Sequence, residues 1–131
     1  MKNNMNIVII DGQGGLLGAQ LVKEISAQFK NINLTTIGTN AVATAAMLKA
    51  GAKNAATGEN PVIVACRKAD SLHGEITDRM ALAVGQADAA RILIPMNKCN
   101  VSVAGVANMN MGLLIADVIS KLHSWIDSQK T

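Results

Sequence analysis

The stretch from Asn6 to Gly18 most constrains what this chain can fold into, because an unbroken apolar run leads directly into a glycine-rich turn. Ile7 to Ile10 are consecutive β-branched residues, which predicts a strand covered on both faces, as in a parallel sheet. The turn that follows should open a helix, and it contains the glycines Gly12, Gly14, Gly15 and Gly18. Backbone N–H groups at such a turn can close on a ligand, and this geometry favours a phosphate or another anion.

The length and composition indicate one domain, residues 1–131, with one sizeable core. Half of the residues are hydrophobic but only 2% are aromatic, so the core must consist of aliphatic side chains and methionine. The composition disfavours recognition of nucleic acid by base stacking, because almost no aromatic ring is available. The net charge is +3 and the basic residues are scattered, so no basic stripe indicates DNA or RNA either.

The location of the protein is predicted from its first residues, its apolar runs and its cysteines. No apolar signal-peptide segment follows the first residues, and no segment approaches the ~20 apolar residues that span a bilayer. Cys66 and Cys99 have no CxxC spacing, which indicates reduced thiols. We therefore expect a cytoplasmic protein with no membrane partner.

The remaining pattern alternates between helices and strands. The predicted helices are Leu16–Lys30, Ala41–Ala50, Thr77–Ala87 and Met111–Ser128, and the later strands are Ile32–Ile37, Val62–Cys66, Arg91–Pro95 and an edge strand at Val101–Val106. Asn54–Asn60 is interpreted as a polar connection, and Ala69–Ile76 is left unassigned. This alternation predicts an α/β fold, a Rossmann-like three-layer α/β/α domain with a mainly parallel sheet of four to five strands.

The candidate site lies where the strands end, because open parallel sheets bind ligands beyond the carboxyl ends of their strands. Glycines, hydrogen-bonding groups and three cations should gather there, although polar residues mark strand ends in many proteins that bind nothing. The predicted ligand-binding residues are Asp11, Gly12, Gln13, Gly14, Gly15, Gly18, Thr39, Asn40, Arg67, Lys68, Asn97 and Lys98.

The glycine pattern is only moderately specific. Gly12-x-x-Gly15-x-x-Gly18 is similar to the spacing in some extended and atypical short-chain reductases, but Leu17 occupies the place where the GxGxxG fingerprint has its third glycine. That fingerprint also needs an acid at the end of the second strand to hold a ribose, and Ile37–Asn40 contains neither an acid nor an arginine. A P-loop is excluded because no Gly-Lys-Ser/Thr follows.

Catalytic residues stay unassigned. Asp11 occupies the place of the nucleophile in phosphatase-like folds, but Gln13 replaces their second aspartate, so we interpret Asp11 as a carboxylate that caps backbone N–H groups. His73 and Glu75 could form an acid–base pair, or they could be ordinary residues of a surface loop. His123 is interpreted as structural. The two cysteines are interpreted as buried small apolar residues, and no metal-ligand spacing is recognisable.

Several short motifs carry a resemblance to a known family. They are the DGQGG loop at Asp11, GTN at Gly38, MLKAGA at Met47, ATGEN at Ala56, CRK at Cys66 and NKC at Asn97. With these motifs the chain resembles a bacterial family of small uncharacterised proteins, one of the domain-of-unknown-function families. The resemblance implies a small cytoplasmic protein without an established activity. Similar sequences carry a further Gly- and Ile-rich segment between Asp70 and Ser71, which this chain lacks.

Three functions are compatible with the sequence. The first is binding of a nucleotide or another phosphate-bearing ligand at the glycine-rich loop, with a nucleotide or dinucleotide as the possible cofactor. The second is a small NAD(P)-dependent reductase, which the absence of Tyr for a Tyr–Lys pair disfavours. The third is a regulatory or structural homo-oligomer. The wide apolar arc of the last helix predicts self-association through that helix or through Val101–Val106.

Overall fold

A computed structural model describes residues 4–12, 16–74, 83–87, 89–93 and 110–129. Within these ranges five strands alternate with helices. The strands are β1 (Met5–Asp11), β2 (Ile32–Gly38), β3 (Asn54–Thr57), β4 (Ser71–Gly74) and β5 (Ala90–Leu93). The helices are α1 (Leu16–Gln28), α2 (Ala41–Lys49), α3 (Asn60–Cys66) and α4 (Met111–Gln129), and residues 83–86 are also helical.

The five strands form one parallel sheet in the order β3-β2-β1-β4-β5. The central strand β1 pairs with β2 on one side and with β4 on the other, so that Ile9 lies between Thr36 and His73. The strand order reverses direction between β1 and β4. The predicted Rossmann-like α/β fold is confirmed.

Each face of β1 contributes to a different core, as the alternation of side chains along a strand requires. Ile7 and Ile9 pack with α1 and α4 on one face of the sheet. Val8 and Ile10 pack with α3 and with the helical residues 83–86 on the other face. All four side chains are almost inaccessible to solvent, which confirms that this strand is covered on both sides.

The prediction is wrong in the stretch between α2 and β4. Val62–Cys66 belongs to the helix α3 rather than to a strand, and Pro61 lies in its first turn, where a missing N–H costs nothing. A short apolar run cannot be assigned to strand or helix by periodicity alone. The strand lies instead in the supposed connection, at Asn54–Thr57, and the unassigned segment contains β4.

The other predicted elements are confirmed where the structure describes them. α1, α2 and α4 begin at the predicted residues, and α4 buries Ile115, Val118, Ile119 and Leu122. Of the helix predicted at Thr77–Ala87 only residues 83–87 are described, and the edge strand predicted at Val101–Val106 lies outside the described residues. Among the described helices, none has the length and apolar character needed to cross a membrane.

Candidate functional site

Asp11 joins the end of β1 to the start of α1. Its side chain is 2% exposed, and its Oδ2 accepts a hydrogen bond of 2.9 Å from the backbone N–H of Gly18, the third residue of α1. A carboxylate is favourable there because the first N–H groups of a helix have no partner within the helix and carry partial positive charge. The interpretation of Asp11 as a carboxylate that caps backbone N–H groups is confirmed.

Gly18 allows α1 to approach the sheet closely. A Cβ atom at this position would lie 2.7 Å from Sδ of Met47 and 3.0 Å from Cβ of Asp11. Both distances are shorter than normal contacts, so a side chain would push α1 away from α2 and from the end of β1. Since its N–H already donates to Asp11, the role of Gly18 in this structure is packing at the base of the loop.

The end of β2 lies beside Asp11. Gly38 pairs with Asp11 in the sheet register, and the Thr39 N–H donates to the Asp11 carbonyl oxygen over 3.0 Å. The Asn40 side chain caps α2, since its Oδ1 accepts a 2.9 Å hydrogen bond from the N–H of Ala43. The structure therefore brings Thr39 and Asn40 to the same edge as Asp11 and Gly12, as predicted.

Gly74 ends β4 on the other side of β1. Its φ is +117°, and a Cβ atom there would overlap the carbonyl oxygen of Ile10, its partner in the sheet. The two backbones meet at the carboxyl edge where the strand order reverses, and only glycine permits this approach. Sequence reasoning missed Gly74 because its segment was unassigned, although a glycine closing a short strand was the available signal.

His73 lies inside the sheet and not in a surface loop, so the loop interpretation is wrong. It is 1% exposed in the middle of β4, and its Nε2 lies 3.0 Å from Oγ of Ser71. Its Nδ1 is buried, and no hydrogen-bond partner for it exists among the described residues. Burial lowers the pKa of His73 to about 4, so the ring is neutral at physiological pH. Glu75, its proposed partner, lies outside the described residues.

Arg67 and Lys68 do not lie at the carboxyl edge, and that prediction is wrong. They follow the helix α3 and precede β4, because the residues before them are helical. Asp70, two residues after Lys68, is hydrogen-bonded to Asn6 near the start of β1. The Asp70 N–H donates to the Asn6 carbonyl oxygen over 2.8 Å, and the Asn6 N–H donates to Oδ2 of Asp70 over 2.6 Å. The two cations are therefore at the amino-terminal edge of the sheet, away from Asp11.

The remaining predicted residues complete the account of the site. Gln13, Gly14, Gly15, Asn97, Lys98 and Cys99 lie outside the described residues. Cys66 is buried, and its burial raises the pKa of the thiol, which confirms its interpretation as a small apolar residue. Within the described ranges no group of three or more His, Cys, Asp or Glu side chains could hold a metal ion.

Substitution of Asp11 tests how strongly it holds the loop to α1. We expect Asp11→Ala to lower the free energy of unfolding by about 2 kcal/mol, because it leaves a buried N–H without its charged acceptor. Asp11→Asn keeps an acceptor oxygen and should cost less. Urea denaturation of both variants followed by circular dichroism measures the difference, and equal stability of Asp11→Ala and the wild type would contradict the assigned role.

Comparison with known proteins gives a match to a family model. Residues 6–127 match the family model described as Domain of unknown function (DUF3842). No curated protein matches the chain, and no solved structure matches it either.

Proposed function

The chain belongs to the DUF3842 family of domains of unknown function, and we propose that it binds a nucleotide or another phosphate-bearing ligand at the carboxyl edge of its sheet. The observation that carries the proposal is the strand order. In open parallel sheets, ligands bind in the crevice where the order reverses, and here the reversal falls between β1 and β4. The glycine-rich turn leaves β1 at that point and leads into α1.

The groups around this crevice suit an anion that is held mainly by backbone. Gly12 follows Asp11 directly and is half-buried, so its backbone remains accessible. The start of α1 adds partial positive charge from its first N–H groups. Asp11 holds the base of the loop rather than the ligand, because its carboxylate already accepts from Gly18. A phosphate would then contact the loop beyond Asp11.

The reductase alternative is weaker. A dinucleotide-binding site holds the ribose through an acidic side chain at the end of the second strand, or accommodates a 2′-phosphate through an arginine. At the end of β2 this chain has Thr39 and Asn40, and the side-chain oxygen of Asn40 already caps α2. We therefore favour a phosphate-bearing ligand whose recognition does not depend on a charged contact to the ribose. Self-association and a cytoplasmic location stay predictions.

A thermal-shift screen over nucleotides, dinucleotides and sugar phosphates tests the proposal, followed by titration calorimetry on each hit. A ligand at 100 times its Kd should raise the free energy of unfolding by ~2.7 kcal/mol. We expect Gly12→Asp to abolish binding of the best hit, because the new carboxylate repels the phosphate at the loop.

The matched control is Gly85→Asp, which adds the same charge at a helical glycine with open space around it. This variant should bind as the wild type does. Circular dichroism verifies that both variants are folded. If no compound in the screen binds, or if Gly12→Asp binds its ligand as tightly as the wild type, the proposed site is wrong.

A further inference from the structure

A cavity of about 550 Å³ lies between the sheet and α3, on the face of the sheet opposite α1 and α4. Three adjacent strands form its floor through Val8, Ile37 and Ala56, and α3 forms its wall through Val64 and Ala65. A space of this size falls within the range of pockets that hold small molecules, about 300–1,000 Å³.

The cavity exists because α3 is short and leaves this part of the sheet uncovered. The helix has seven residues, and its fully packed side chains, Val62 and Cys66, point into the core beside the cavity. Val64 lines the cavity and yet is 56% exposed, so the cavity opens to solvent. Protein interiors normally pack without such gaps. Because the apolar side chains of this cavity face solvent, an apolar ligand that covers them would be stabilised by the hydrophobic effect.

The described lining of the cavity carries positive charge, and the nearby Asp70 carboxylate accepts a hydrogen bond from the backbone of Asn6. Among the described residues of the lining, Lys68 is a cation, Asn6, Thr35 and Asn60 are neutral, and none is a carboxylate. Within the described part of the chain Lys68 has no ion-pair partner. A ligand with an apolar body and one negative group would therefore match both the walls and the charge.

We propose that this cavity binds a small aliphatic carboxylate, with its hydrocarbon body against Val8, Ile37 and Val64 and its carboxylate toward Lys68. The site is separate from the crevice proposed above. Lys68 precedes β4 at the amino-terminal edge of the sheet, whereas the glycine-rich turn lies at the carboxyl edge. The proposal of a carboxylate site in this cavity therefore does not depend on the proposed phosphate-binding function.

Titration calorimetry with octanoate and with 1-octanol tests the proposal, because the two probes share an apolar body and differ in charge. We expect saturable binding of octanoate to one site and weaker binding of octanol. Lys68→Met should weaken octanoate binding about tenfold, the equivalent of one partly solvated charged contact, and leave octanol binding unchanged. Lys49→Met, an exposed lysine outside the cavity, is the matched control and should change neither.

A second variant tests the volume. Ala65→Phe fills the cavity and should remove the binding of both probes, with its circular dichroism spectrum and Tm as the folding control. Gly12→Asp should bind octanoate like the wild type, which separates this site from the phosphate crevice.

The proposal is overturned if octanoate does not bind saturably, or if Lys68→Met binds it as tightly as the wild type. If in that case Val64→Asp converts a dimer to a monomer in light scattering, a second copy of the chain covers this face instead.

Discussion

Gly74→Ala should destabilise the protein by about 3 kcal/mol or more, which for a domain of this size could prevent folding. Two costs combine at this position. The φ of +117° is strained for any residue with a Cβ atom, and that atom would overlap the carbonyl oxygen of Ile10. The overlap is with backbone of the central strand, so β1 and β4 would have to separate. The midpoint of urea denaturation measures the loss.

Two other glycines separate these costs. Gly51 has a φ of +112° with open space around it, so Gly51→Ala should show the backbone strain alone. Gly85 is helical with nothing within 4 Å, and Gly85→Ala should stabilise the protein by roughly 0.5–1 kcal/mol. We expect Gly74→Ala to lose more stability than Gly51→Ala, and Gly85→Ala to lose none. A Gly74→Ala variant no less stable than Gly51→Ala would refute the close approach of β4 to β1.

His73 should make the protein less stable as the pH falls from about 6.5 to about 4. The pKa of His73 is lowered from 6.5 to about 4 by burial, so between these values the unfolded chain binds a proton that the folded chain does not. Stability then decreases with falling pH, because protons favour the state that binds more of them. The full difference corresponds to about 3 kcal/mol at 1.36 kcal/mol per pKa unit.

The contribution of His73 is isolated by comparison with His73→Leu. Carboxylates also titrate at the acidic end of this range, so the useful quantity is the difference between the two proteins in the pH dependence of unfolding. The His73→Leu variant should lack the loss of stability that protonation of the His73 ring causes. The His123→Leu variant should retain this loss, because it still contains the buried ring of His73. Parallel curves for the wild type and His73→Leu would show that the ring is not held neutral by burial.

The fold could largely be predicted from the sequence because its first strand is unambiguous. Four β-branched residues at Ile7–Ile10 fit only a strand that is covered on both sides, and the structure covers both. The helices α1 and α2 could also be predicted, since the first has regular apolar spacing and the second has Asn40 as a side-chain cap. These signals are local in the sequence, and contacts between neighbouring residues are enough to determine these two helices.

The exchange between β3 and α3 could not be predicted, because its cause is not local. Val62–Cys66 has the composition of a strand, but in the folded chain this segment crosses the sheet from β3 to β4 and buries only Val62 and Cys66 fully. Asn54–Thr57 has no large apolar side chain, and it is a strand because Ala55 and Ala56 pair with β2. Tertiary pairing decides such weak strands, whatever their intrinsic preference.

The candidate site was predicted only in part, because each of its residues was placed from the strand that precedes it. Asp11, Thr39 and Asn40 lie together at one edge because each follows a correctly assigned strand. Arg67 and Lys68 were misplaced because their position depended on the incorrect strand. Gly74 and the burial of His73 in a strand were missed because β4 is four residues long and contains a histidine and a glycine, so its sequence has no apolar run. Its burial becomes evident only from its pairing with β1.

The central position of β1 affects the order in which the chain can fold during its synthesis. Ile7 pairs with Leu34, which the ribosome makes soon afterwards, but it also pairs with Ser71, which comes much later. Strands β1 to β3 can therefore associate as soon as Thr57 has emerged, while the other edge of β1 still lacks a partner. An apolar strand with an open edge is the feature through which nascent chains aggregate. The emergence of Ser71–Gly74 ends this exposure, so the short strand β4 protects the newly made chain as well as completing the sheet.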